Sequence, residues 1–227
     1  KFYGDKKRKI NSDNIFNINR LGLIDTLETG QNLTLGINYK KQKLNNINKF
    51  FEAKLGTVLR EKVNKDIPTS STINKKKSNY FGKIKNNFND NISLDYEFSV
   101  DSSLNHFEYN SFGTTISKNK FVTTFNFIEE NGAIGNKNIL ENTTSFDFDD
   151  QNFVTFRTRK NREIDLTEYY DLIYEYKNDC LVAGLRFQKK YYEDRDLKPS
   201  ENLFFSITLF PLTTLEQEID QNLYNQN

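Results

Sequence analysis

The chain of 227 residues carries 32 Lys+Arg against 31 Asp+Glu, a formal net charge of +1, which argues against a protein that tracks nucleic-acid phosphates. One Cys excludes a disulfide scaffold or a cysteine metal cluster within the chain, and one His excludes a multi-His metal site. A mean hydropathy of -0.76 and the lack of a run of about 20 apolar residues exclude helical membrane spans, but not a membrane β-barrel, in which only alternate residues meet lipid. Aromatic residues make up 14% of the chain, too many for an intrinsically disordered segment. There is no Met, so the chain is expected to be processed or to be a piece of a longer protein. Its first nine residues contain no apolar signal-peptide core.

Residues 19–28 precede the first strand and carry no physical signal of their own. Beyond them alternation dominates. Leu33, Leu35, Ile37 and Tyr39 alternate with Thr34, Gly36, Asn38 and Lys40. Phe51, Ala53, Leu55 and Leu59 share a face opposite Glu52, Lys54, Gly56 and Arg60. A weaker strand follows at 79–88, then the cleanest one: Ile92, Leu94, Tyr96, Phe98 and Val100 against Ser93, Asp95, Glu97 and Ser99. Further strands fit 106–117, 121–129, 140–148, 152–160 and 169–177; Leu181, Ala183, Leu185 and Phe187 alternate next, and 202–212 closes the series. A period of two reads as a ribbon with one apolar and one polar face.

The predicted fold is therefore all-β: an antiparallel meander of about eleven long strands, expected to form the C-terminal part of a large outer-membrane β-barrel over residues 1–212. Most strands run about 9–11 residues, the length that crosses a bilayer at a tilt, against about 5–6 in typical globular strands. Short connections at 89–91, 118–120, 149–151 and 178–179 alternate with longer ones at 61–77, 101–105, 130–137, 161–168 and 192–201. Outer-membrane barrels have short periplasmic turns and long outside loops. That polarity brings the last strand down and leaves residues 213–227 as a polar periplasmic tail. Leu215, Ile219 and Leu223 at spacing four allow a short helix there, with disorder at its end. Single-chain bacterial barrels have even strand numbers, so an odd count suggests a part of a larger barrel.

Little in the chain suggests catalysis. His106 opens a strand near Ser111 and Ser117, but no Gly-x-Ser-x-Gly elbow exists, so an ordinary rim histidine is the simpler reading. Asp147, Asp149 and Asp150 sit where solvated acids are normal. Cys180 reads either as a small buried residue at a strand start or as a thiol with a partner elsewhere. No cofactor is implied. The polar faces carry candidate wet-side cations, Lys54, Arg60, Arg157 and Arg186, with Lys83, Lys85 and Lys190.

Three stretches resemble the family of LPS-assembly proteins LptD, also called organic solvent tolerance proteins. Asn19, Arg20, Gly22, Asp25 and Glu28 ahead of the strand 33–39 are similar to the family's Asn-Arg…Gly-x-Asp-x-x-Glu segment. Residues 170–180 resemble the strand that descends to the family's C-terminal cysteine turn. Tyr191 to Pro199, with Asp194, Arg195, Asp196 and Lys198, followed by Leu203 to Leu209, resembles the penultimate loop and closing strand of alphaproteobacterial members.

The resemblance implies a non-enzymatic outer-membrane barrel that receives lipopolysaccharide from a periplasmic bridge protein and releases it into the outer leaflet. It implies an LptE-type lipoprotein plug as partner, and no nucleic acid. It carries over one disulfide, from Cys180 to an N-terminal region that is expected to precede this chain; Leu181 stands where many relatives have a second cysteine. It makes Leu203, Phe205, Ile207, Leu209 and Pro211 the closing strand of a lateral gate. Pro211 donates no ladder hydrogen bond, so it either weakens that seam or simply ends the strand. The wet-side cations would then meet lipid A phosphates. The other classes that the pattern allows are a diffusion porin and a soluble β-sheet binding protein.

Overall fold

A computed structural model describes residues 9–22, 28–192 and 198–210 of the chain, and the backbone of 213–220. Its strands are β1 (Asn32–Lys43), β2 (Asn46–Arg60), β3 (Tyr80–Asn89), β4 (Ile92–Val100), β5 (Phe107–Lys118), β6 (Phe121–Glu130), β7 (Lys137–Asp147), β8 (Asn152–Asn161), β9 (Leu166–Lys177), β10 (Leu181–Lys190), β11 (Ser200–Leu209) and β12 (Thr213–Asp220). They form one meander in chain order, and every described pairing is antiparallel. The predicted all-β meander is thus correct. Among the described residues one 3-10 turn, Thr69–Ser71, is the only helical element.

Two differences from the sequence reading have physical causes. Among the described residues the strands number twelve, where about eleven were expected, so the argument from an odd number falls away. The added strand is β12, in the stretch expected to be a helical or disordered tail. Spacing four places residues on one side of a strand as well as of a helix, so Leu215 and Ile219 did not decide between them. Pairing with β11 satisfies backbone groups that a tail would leave to water, with Ile207 opposite Leu215 and Leu203 opposite Ile219. It follows that β11 is paired on both sides, to β10 and to β12, and is not the outermost strand. Pro211 and Asp25 lie outside the described residues, as do Asp194, Arg195 and Asp196.

The connections alternate nearly as expected. Residues 61–79 are the longest connection, but only 162–165 separate β8 from β9, no more than the 148–151 between β7 and β8. β1 and β2 also outrun the predicted apolar stretch. Their polar ends, through Lys43 and from Asn46, continue as a hairpin that hydropathy alone cannot signal.

The chain divides into two compact units. The first comprises Lys1–Thr114 with Phe127–Asn138; the second comprises Thr115–Asn126 with Ile139–Asn227. In the first, the core is on the polar side of the strands. Ile10, Ile15 and Leu21 from segment 9–22, and Ile67 and Ile73 from the long 61–79 connection, pack on Val58 and Phe81. The other face is apolar and bare. Leu33, Leu35, Ile37, Tyr39 and Leu55 are all exposed, Ile37 by 71%. In register across this face stand Ile37, Leu55, Gly82 and Phe98. The Phe98 ring lies over Gly82, where a Cβ would meet it at 2.1 Å, so only glycine lets that ring cover the strand.

The second unit repeats the pattern. Val154, Tyr174, Leu185 and Phe205 form one apolar row, and Phe156, Leu172, Phe187 and Leu203 the next. Tyr174, Leu185, Phe205, Phe156 and Leu172 are exposed. Large apolar side chains laid out over whole strand faces need a non-aqueous neighbour. Exposed aromatics cap the strands: Phe88, Phe121, Phe148 and Phe210 beside short connections, Phe107 and Tyr192 beside longer ones. Aromatic girdles of this kind mark the two interfaces of a membrane barrel.

Candidate functional site: the charged face of the strands

The polar faces carry the candidate chemistry. In the first unit the register sets Lys54 beside Lys83 and Lys83 beside Glu97, with Glu52, Lys85 and Asp95 in the next row. Like charges directly opposite on neighbouring strands are destabilising. Here an anion from outside the sheet resolves the conflict. Asp13, on segment 9–22, accepts from Lys54 Nζ at 2.8 Å through Oδ1 and from Lys83 Nζ at 2.7 Å through Oδ2. Glu52 lies 3.2 Å from Lys54, and Glu97 lies 3.4 Å from Lys83.

Burial by itself would raise the Asp13 pKa, but the hydrogen bonds and charges of Lys54 and Lys83 outweigh it and hold the carboxyl at about 2. The folded value lies below the ordinary 3.8, so the bridge contributes its full stability above about pH 4 and loses it as pH falls through about 2. Melting temperatures of the wild type and Asp13→Asn are therefore expected to differ by a constant amount at pH 5 to 7. The difference should shrink toward zero near pH 2; a gap that widened on acidification would contradict the bridge.

Residues of the Asn19–Glu28 motif come together in a second cluster. Gly22 has φ 129°, a conformation open to glycine, and its carbonyl accepts from Asn19 Nδ2 at 3.0 Å. This turn directs Arg20 inward. Arg20 Nε and Nη2 donate to the two Glu28 oxygens at 2.6 and 2.7 Å, a bidentate pair. Its Nη1 donates to the Ile15 carbonyl and to Thr34 Oγ1, both at 2.8 Å. Arg60 shares the same Glu28 and donates through Nε to the Ile73 carbonyl at 2.7 Å. The Arg20, Arg60 and Glu28 side chains are all almost wholly buried. Arg60, expected as a free cation on the wet side, is instead an internal tie. It fastens segment 9–22 and the 61–79 connection to β2.

In the second unit Asp171 is buried. It accepts from Arg186 Nη2 and from Gln188 Nε2, each at 2.6 Å. Arg186 also lies over the Phe204 ring at 5.6 Å. Arg157 stands opposite Asp171 in register, is exposed and has no ion pair among the described residues. So of the four expected cations, Arg157 is open, Arg186 is half-exposed, Lys54 is bridged by Asp13 and Arg60 is consumed. Alternation put Lys54, Lys83 and Glu97 on polar faces; nothing in the sequence marked Asp13 as the partner of the two lysines.

His106 is an exposed loop residue whose backbone N–H donates to Asp101 Oδ1 at 2.8 Å. Cys180 is an exposed free thiol in the turn between β9 and β10. Asn178 Oδ1 shapes that turn by accepting from the N–H groups of Cys180 and Leu181. Lys198 and Pro199 are exposed at the approach to β11. Among the described residues no group of acidic, His or Cys side chains could hold a metal ion.

Long antiparallel strands with a bare apolar face, aromatic ends and a charged reverse define a protein of the outer-membrane β-barrel class. The family model for LptD, LPS transport system D, matches residues 2–159, and the chain belongs to that family. No curated protein sequence matches it. The family is one of lipopolysaccharide transport, not of enzymes, so the chain has a role in lipopolysaccharide transport at the outer membrane. The match covers the Asn19–Glu28 motif and β1 to β7. Cys180 and β11 lie beyond it.

Proposed function

We propose that this chain forms part of an outer-membrane translocon barrel that inserts lipopolysaccharide into the outer leaflet of a Gram-negative bacterium, without catalysing a reaction. The observation that carries the reading is the two-faced strand. In each unit an apolar face suits acyl chains and the bilayer, while the reverse, bearing Lys54 and Lys83 in the first unit and Arg157 and Arg186 in the second, suits phosphorylated sugars. A single molecule that is lipid at one end and charged saccharide at the other needs both. A lipoprotein plug of the LptE type and a periplasmic bridge that delivers the glycolipid belong to this proposal through the family.

A lateral exit for the glycolipid also belongs to this proposal through the family; β11, paired with both β10 and β12, is not a free edge. Depleting the full-length protein should leave newly made lipopolysaccharide in the periplasm and inner membrane. Re-expression should restore it at the surface. Normal surface delivery after depletion, with only ion conductance lost, would make the protein a porin instead. For Cys180, the full-length protein should change mobility on reduction in a denaturing gel, and Cys180→Ser should abolish the change. Identical mobility of both proteins with and without reductant would remove the disulfide.

A further inference from the structure

The proposed function leaves open where the glycolipid's phosphates dock, and the Lys54–Lys83 pair answers that. The two ammonium groups are cross-strand neighbours that converge on one carboxylate. That carboxylate belongs to a separate segment, 41 residues from Lys54 and 70 from Lys83 in sequence. Asp13 itself is 41% exposed, so the bridge faces open space and is not sealed in the core. A groove of about 290 Å³ runs alongside, lined by Asp13, Phe16, Gly36 and Lys54 among others. The Phe16 ring crosses Gly36, where any Cβ would collide with it at 2.4 Å. The groove thus has an apolar wall at Phe16 and ends at the Lys54–Asp13 pair.

We infer that Lys54 and Lys83 form a phosphate subsite for the glycolipid, held closed in this structure by Asp13 acting as a resident carboxylate in place of the phosphate. The inference rests on the translocon reading and names a binding site within it. Both anions present paired oxygens to two Nζ donors, but a phosphomonoester brings more charge and a third acceptor oxygen. With Asp13 in place, the two lysines face three carboxylates: Asp13, Glu52 and Glu97. With Asp13 withdrawn they face two, so the local charge goes from net negative to neutral and an incoming phosphate meets less repulsion. Ile10, Ile15 and Arg20 anchor the backbone of segment 9–22, so the release required is a rotation of the part-exposed Asp13 side chain alone.

The test uses the full-length protein in detergent, with a photo-cross-linking benzoyl-phenylalanine at Asn38, the register neighbour of Lys54. The probes are diphosphorylated lipid A and the same lipid with its phosphates removed. Asp13→Asn should raise cross-linking to the phosphorylated probe by about threefold or more, since a competing charged hydrogen-bond acceptor is lost. Lys54→Gln with Lys83→Gln should abolish the adduct, and Lys54→Arg with Lys83→Arg should retain it. The dephosphorylated probe should not respond to Asp13→Asn. Heat-modifiable gel migration checks that each variant folds, and Asp13→Ser replaces Asp13→Asn if that one does not. Equal adduct yields from wild type and Asp13→Asn, or an equal gain with the dephosphorylated lipid, would overturn the subsite alone. Failure of every form to bind either lipid would overturn the translocon reading beneath it.

Discussion

Glu28→Ala is expected to destabilise the first unit by about 3–5 kcal/mol, the scale at which removing one partner leaves buried charge uncompensated. Glu28 is the single carboxylate that the Arg20 and Arg60 guanidinium groups share. Neither arginine can shed its proton to escape the cost, even though burial pushes the Arg20 pKa down. Loss of Glu28 leaves two like charges with carbonyl and hydroxyl partners only. Arg20 then releases the Ile15 carbonyl and Thr34, and the apolar contacts of Ile15 and Leu21 loosen with it. A typical domain has about 5–15 kcal/mol in total, so the loss is large. Glu28→Gln keeps one acceptor oxygen and should cost less. Heat-modifiable migration and protease sensitivity of segment 9–22 measure the effect. Wild-type behaviour of Glu28→Ala in both would show that the cluster is not what fastens the segment.

Leu185→Arg should destabilise the membrane-inserted protein by about 2–4 kcal/mol, the cost of a cation on the lipid face near the bilayer midplane. Leu185 is central in β10, 44% exposed, and flanked in register by Tyr174 and Phe205. The side chain of its neighbour, Arg186, points to the opposite face and pairs with Asp171. Two adjacent positions therefore have opposite requirements: arginine is native at 186 and costly at 185. Unfolding in lipid vesicles against urea gives the comparison directly. A Leu185→Arg protein as stable as wild type in vesicles would mean that this face does not meet lipid. In detergent the penalty should be smaller, because water reaches the substituted site.

Much of this was legible in the chain. The period of two depends only on neighbouring residues, so alternation alone located eleven of the twelve strands and assigned Leu185 and Arg186 to opposite faces. Strand ends were less legible where polar residues continue the ladder, as through Lys43 and from Asn46. β12 was missed because spacing four serves both a helix and a strand. The choice was made by the hydrogen-bonding groups of β11, which are distant in kind from any local pattern.

The cations show the same division more sharply. Sequence placed Lys54, Arg60, Arg157 and Arg186 on polar faces and could not rank them, because a charge is available only if nothing else in the fold neutralises it. The partners come from far along the chain: Asp13 for Lys54, Glu28 for Arg60, Asp171 for Arg186. Periodicity, being local, determined the two-faced all-β architecture and the outer-membrane class that follows from it. Only the tertiary structure decided which charges meet. Ion pairing depends on distance through space, and here that distance is set by how segment 9–22 and the strand register fold back on residues from 15 to 70 positions away.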